Sequence, residues 1–163
     1  MEFNLILVRH AKSSWSNPSL TDFDRPLNKR GVLNAPVMGQ RIRDYGIHLD
    51  TIITSTAERT QETSNLIAKE INFELEDIDL ESDLYHASRE VFINILSKQP
   101  DTNILIVGHN PGIQDFSYWL SSEPTVNFPT CGVIHISFNL DNWTEIYQNS
   151  GKAIRFEYPR MFS

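Results

Sequence analysis

The chain has 163 residues, enough for one domain with its own core, and 40% hydrophobic with 21% charged residues suits a folded globular protein over a disordered one. Fourteen Lys and Arg stand against 21 Asp and Glu, a net charge of -7, which excludes a general binder of nucleic acid or of anionic membrane but leaves room for a local basic pocket. The single cysteine, Cys131, excludes an internal disulfide, and the opening MEFNLILVRH has neither the basic start nor the long apolar run of a secretory leader.

No repeat, low-complexity tract or Gly/Ser linker divides the chain, so residues 1–163 are expected to form a single domain. With no apolar run near membrane-spanning length, the expected location is the cytoplasm. The first β-branched apolar run, Leu5–Val8, reads as a buried strand. A polar loop follows from Ser13 to Asn28, with Pro18 and Pro26. A helix is expected from about Asn28 to Tyr45, because Ala35, Met38, Ile42 and Tyr45 recur at steps of three and four; Pro36 predicts a kink or a late start.

A second strand is centred on Ile52–Ile53. The following Ser55-Thr56-Ala57-Glu58 has capping-box spacing and predicts a helix opening at Ser55 and running to about Glu70. A third helix is expected over Arg89 to Lys98, with Ser88 as cap and Pro100 as stop. Ile104–Val107 reads as a third buried strand. A fourth helix starts after Asn110, with Pro111 at its first position and Ile113, Phe116 and Leu120 on its apolar face. Val133–Phe138, Thr144–Tyr147 and Ala153–Glu157 read as strands. This alternation predicts an α/β three-layer sandwich, with a mainly parallel central sheet, some antiparallel addition and helices on both faces.

The chemistry lies where the basic residues fall. Arg9-His10 follows the first strand, Ser55 to Arg59 the second, and Gly108-His109 the third. Ligands in open α/β sheets sit beyond the carboxyl ends of the strands, so three strands can deliver these groups to one edge. Two of the segments also open helices, whose N-termini favour an anion. Two arginines and two histidines there suit a tetrahedral oxyanion, since guanidinium forks match phosphate geometry.

Leu7-Val8-Arg9-His10-Ala11, the Ser55–Thr63 segment with its Ser, Arg and Thr, and Gly108-His109-Asn110 resemble, in order, three signatures of the histidine phosphatase superfamily, which includes phosphoglycerate mutases and acid phosphatases. The run Arg9-His10-Ala11-Lys12-Ser13-Ser14-Trp15 is most similar to the SixA-type phosphohistidine phosphatase branch, as are Phe23-Asp24-Arg25-Pro26-Leu27 and the segment from Leu84 to Ser88. Four positions depart from the family pattern. Ala11 replaces the usual Gly, Thr56 replaces a common Pro, and Lys12 and Ser16 stand where mutase-like members tend to carry Glu and Asn.

The resemblance implies a phosphoglycerate mutase-like fold and a two-step reaction without metal or other cofactor. His10 takes the phosphoryl group, Arg9, Arg59 and His109 hold its oxygens, and water then hydrolyses the phosphohistidine. Asp83 is the candidate acid for the leaving group, with Glu81 as the alternative. Ser16, Asn110 and Arg25 are candidate phosphate or substrate contacts. Arg25 suits either that role or a loop-anchoring salt bridge, and Lys12 either lines the pocket or faces solvent. His48, His86 and His135 lack metal-ligand spacing and read as ordinary, and Cys131 as structural. Neither a Gly-x-Ser-x-Gly nor a Walker motif is present.

The expected partner is a phosphorylated substrate, foremost phosphohistidine on a protein, because the chain leaves little sequence for a lid over a small molecule. A small-molecule phosphomonoesterase and a non-catalytic phosphate-binding module are the alternatives.

Overall fold

The computed structural model describes residues Met1–Ser163. Six strands form one sheet in the order β3-β2-β4-β1-β5-β6. They are β1 (Glu2–Arg9), β2 (Thr51–Thr54), β3 (Asp79–Leu80), β4 (Asn103–Gly108), β5 (Val133–Asn139) and β6 (Lys152–Glu157). The first four pair in parallel, whereas β5 and β6 add antiparallel at one side.

Alternation along the central strands sorts the core. Leu5, Leu7, Ile104 and Ile106 face one side, where they pack with Phe92 and Phe116 from α3 (Arg89–Ser97) and α4 (Gly112–Ser121). Ile6, Val8, Leu105 and Val107 face the other, against Met38, Ile42 and Ile67 from α1 (Lys29–Asp44) and α2 (Glu58–Glu70). This is the expected three-layer α/β sandwich, with strands covered on both faces. No helix is long and apolar enough to cross a membrane.

Local chemistry explains where the elements differ from expectation. Asn28 caps α1 by accepting from Gly31 N at 2.9 Å, and the helix continues through Pro36 instead of starting after it. The carbonyl that loses its donor belongs to Val32, an exposed residue. Pro111 is the cap of α4, one place before its expected position.

Ser55 does not open α2. The helix begins at Glu58 with Ala57 as its cap and without a side-chain capping bond. Thr144–Tyr147 is not a strand. A 3₁₀ turn covers Trp143–Glu145, closed by a capping box between Asn142 and Glu145 and anchored by buried Trp143, whose Nε1 donates to the Asp101 carbonyl at 2.6 Å. Strand β3 was missed because two exposed residues carry no readable period.

Candidate active site

Register brings the three signatures to one level. Arg9 lies opposite Gly108, and Thr54 opposite Val107. The ladder runs one residue further on each strand: His10 N donates to Gly108 O at 3.0 Å, and Ser55 N to Val107 O at 3.1 Å. His10, Ser55 and His109 therefore leave the sheet side by side at its carboxyl edge. His10 and His109 border a pocket of about 260 Å³ whose walls include Arg9, Arg25 and Arg59.

The His10 ring is held in one tautomer. Its Nδ1 lies 2.7 Å from the carbonyl oxygen of Ala11, which can only accept, so Nδ1 carries the hydrogen and Nε2 keeps its lone pair. Burial pushes the His10 pKa down to about 4, with Arg59, Arg9 and Arg25 acting in the same direction and the Ala11 carbonyl opposing them. The imidazole is thus neutral near pH 7, the form a nucleophile needs.

His109 lies with its ring centroid 5.3 Å from that of His10. Burial, followed by the charges of His10 and Arg59, lowers its pKa to about 3. Its Nε2 shares a 2.8 Å hydrogen bond with Ser55 Oγ, which also accepts from Ala57 N at 3.3 Å. The capping box expected of Ser55 and Glu58 is therefore absent because the serine hydroxyl is committed to the histidine.

Arg59, in the first turn of α2, is nearly buried. Its guanidinium donates to the Asp22 carbonyl (2.6 Å) and to Asp22 Oδ2 (3.0 Å). Arg25 reaches the other carboxylate oxygen of Asp22 at 3.1 Å and Ser13 Oγ at 2.7 Å, and lies 3.5 Å from the centroid of the Trp15 ring. One carboxylate thus spaces two arginines. The Tyr85 hydroxyl donates to it as well, and that bond, together with Arg59 and Arg25, holds Asp22 well below the usual carboxylate range despite its partial desolvation. One turn beyond Arg59, Thr63 Oγ1 accepts from Ala11 N at 3.0 Å and donates to Arg59 O at 2.7 Å, tying the nucleophile strand to α2.

Arg9 and Asn110 are both held by the carbonyl of Phe128, each at 3.0 Å. Arg9 Nε and Arg59 Nε are buried N–H donors without a protein partner, and His109 Nδ1 and the acceptor Asn110 Oδ1 lack one as well. The two guanidinium donors suit an anion, because an unsatisfied buried donor costs about 1–3 kcal/mol.

Of the expected residues, Arg9, His10, Arg25, Arg59, His109 and Asn110 meet at the pocket, and Lys12 lines it as well. Arg25 anchors the loop through Asp22 and Ser13 and also lines the pocket. Two expected residues are not brought to the pocket wall. Ser16 is exposed and bonded to Ser14 in the loop, away from the pocket wall. Asp83 is exposed in a 3₁₀ turn whose N–H is capped by Glu81 and does not line the pocket, nor does Glu81; no Asp or Glu does.

His86, read as ordinary, is an exposed member of the pocket wall. Its left-handed backbone (φ 57°) turns the chain there, and its ring centroid lies 6.4 Å from that of His109. The available signal was its position within the Leu84–Ser88 segment. Asp22 carried no sequence signal, since its role depends on two arginines distant in the chain.

Known proteins resemble this chain in sequence and in fold. The sequence pattern of the histidine phosphatase superfamily (branch 1) matches residues 5–85. An uncharacterized chloroplastic protein of Arabidopsis thaliana is 32% identical over 157 residues, covering 90% of this chain and 72% of that one. The crystal structure of a SixA from Agrobacterium tumefaciens, described as a putative phosphohistidine phosphatase, superposes with a TM-score of 0.80 at 26% identity, over 96% of this chain and 98% of the other. The protein histidine phosphatase SixA complexed with tungstate superposes with a TM-score of 0.82 at 15% identity, over 98% and 99%. By sequence pattern, relatives and architecture, this chain belongs to the histidine phosphatase superfamily, with SixA-type structural neighbours.

Proposed function

We propose that the protein is a phosphatase that works through a phosphorylated His10, with phosphohistidine on a protein as the leading substrate class. The observation that carries this reading is the neutral His10, its Nε2 lone pair freed by the Nδ1–Ala11 bond, in a pocket lined by Arg9, Arg25 and Arg59, the last two braced by the ionised Asp22.

In the first step Nε2 attacks phosphorus in line. The bond from phosphorus to the substrate's leaving atom breaks as the bond to Nε2 forms, and the leaving group departs with its electron pair. Arg9, Arg59 and His109 hold the equatorial oxygens and stabilise the charge that develops there. In the second step water attacks the same phosphorus, phosphate is released, and His10 regains its lone pair.

The pocket's lack of a carboxylic acid supports nitrogen-linked phosphate over alkyl esters. An alkoxide leaves poorly without a proton, whereas a phosphohistidine ring already protonated on its other nitrogen leaves as neutral imidazole. An open rim supports a side chain delivered by a protein: Trp15 is 75% exposed, and Lys12 and His86 are also exposed.

The test measures kcat/KM for a phosphohistidine peptide, an aryl phosphate and a sugar phosphate, on wild type and His10→Ala. Expected are activity in that descending order, loss of turnover in the variant with the fold retained, and acid-labile label on His10 of wild type after a neutral or alkaline quench. Preference for the sugar phosphate overturns the substrate class, and near-wild-type turnover by His10→Ala overturns the mechanism.

A further inference from the structure

A second cleft, of about 400 Å³, opens beside the phosphoryl pocket and shares Lys12 and Thr130 with it. Besides Lys12, three parts of the chain build it. Arg30 and Asn34 come from the first turns of α1, Asn127 and Thr130 from the segment before β5, and Arg160 from the 3₁₀ turn after β6.

The charge distribution of this cleft is unlike that of the molecule. The chain carries -7 overall, yet none of the residues lining either cavity is Asp or Glu. Six of the 14 Lys and Arg line the two cavities together: Arg9, Lys12, Arg25, Arg30, Arg59 and Arg160. Arg25 and Arg59 are partly neutralised by Asp22, as Arg41 is by Glu157 and Arg89 by Asp115. Lys12, Arg30 and Arg160 enter no such pair.

Three cations without a carboxylate partner give this cleft a positive potential that attracts an anion, although exposure to solvent screens it. A cation-walled cleft that adjoins the phosphoryl site, with Lys12 and Thr130 common to both, can hold a second anionic group of the same ligand. We propose that this cleft is a subsite for a second anionic group, a carboxylate or a further phosphate, carried by the substrate whose phosphoryl group enters the His10 pocket. The inference rests on the phosphoryl reading of that pocket and narrows its substrate class to molecules with at least two anionic groups. Lys12, on the wall between the cavities, touches both groups. The second group binds as the linked half of a bivalent ligand, so its contribution appears as selectivity between substrates.

The test is binding, measured by calorimetry on wild type, Arg30→Glu/Arg160→Glu and Arg30→Ala/Arg160→Ala. All these side chains are exposed, so the variants should fold; thermal melting checks it. One ligand pair is inorganic phosphate and tripolyphosphate. The other is a peptide bearing a stable phosphohistidine analogue, flanked by Glu or by Gly. Wild type should prefer the more anionic member of at least one pair by about tenfold or more, and the charge-reversed protein should lose that preference. Preference within the inorganic pair assigns the second group to phosphate, and preference within the peptide pair to acidic side chains. Absence of preference in both pairs, or preference that survives in both double variants, overturns the subsite. A protein that binds as expected but turns nothing over would fail the phosphatase reading and leave the subsite standing.

Discussion

Protonation of His10 is the perturbation that tests the site most directly. Its pKa falls from an ordinary 6.5 to about 4, which at roughly 1.4 kcal/mol per pH unit corresponds to about 3 kcal/mol against the charged form. The residue is 7% exposed, so solvent screening reduces this little. Above pH 6.5 the ring is neutral in both folded and unfolded chains and contributes no pH dependence. As pH falls from 6.5 towards 4, the unfolded chain takes up the proton first, and stability declines. Below about 4 both states are charged and the loss levels off. His109, lowered to about 3, adds a loss of the same sign that extends to lower pH. Activity follows the folded pKa alone, so kcat/KM, corrected for substrate ionisation, should hold down to about pH 4. The assay pairs that profile with an NMR titration of the His10 Cε1–H. Burial is the largest cause and Arg59 a smaller one, so Arg59→Gln should raise the His10 pKa only part of the way. A His10 midpoint near 6.5 in wild type, or a full return to 6.5 in Arg59→Gln, would refute the reasoning.

Arg59→Ala should lose on the order of 2–4 kcal/mol of transition-state stabilisation in kcat/KM, and Arg59→Lys should recover only part, because one ammonium cannot replace a fork that also braces Asp22. Asp83→Asn should leave kcat/KM unchanged for alkyl, aryl and nitrogen-linked phosphates alike, since its side chain does not line the pocket; selective loss on alkyl esters would restore it as the acid. Thr63→Val should cost about 1–3 kcal/mol in chemical denaturation, because the buried Ala11 N–H loses its acceptor. Turnover should survive excess chelator, and dependence on an added divalent ion would point to different chemistry.

Much of the fold was legible because short-range patterns carried it. The β-branched runs at Leu5–Val8 and Ile104–Val107 could only be buried strands in a layered chain, and both are. Apolar steps placed α1 and α4 to within a residue or two. Patterns failed where a distant group competed for a side chain. Ser55 looked like a helix cap until His109, 54 positions away, took its hydroxyl. Thr144–Tyr147 has strand composition, but buried Trp143 and the Asn142–Glu145 box fold it into a turn.

The sequence by itself determined which residues could handle a phosphoryl group, because Arg9-His10, Arg59 and His109 each follow a strand and strand ends are where open sheets present ligands. Tertiary structure alone decided how they work together. Pairing of β1 with β4, and of β4 with β2, set the three strand ends level. Burial made both imidazoles neutral, and Asp22 fixed two arginines from a loop. The same packing turned Asp83 out of the pocket, turned His86 into its wall, and set Arg30 beside Arg160 across 130 residues of chain. The physical reason is range. A side chain's type and its neighbours a few residues away fix local geometry, whereas a pKa, an ion pair and a shared cavity depend on groups that only folding brings within a few ångströms.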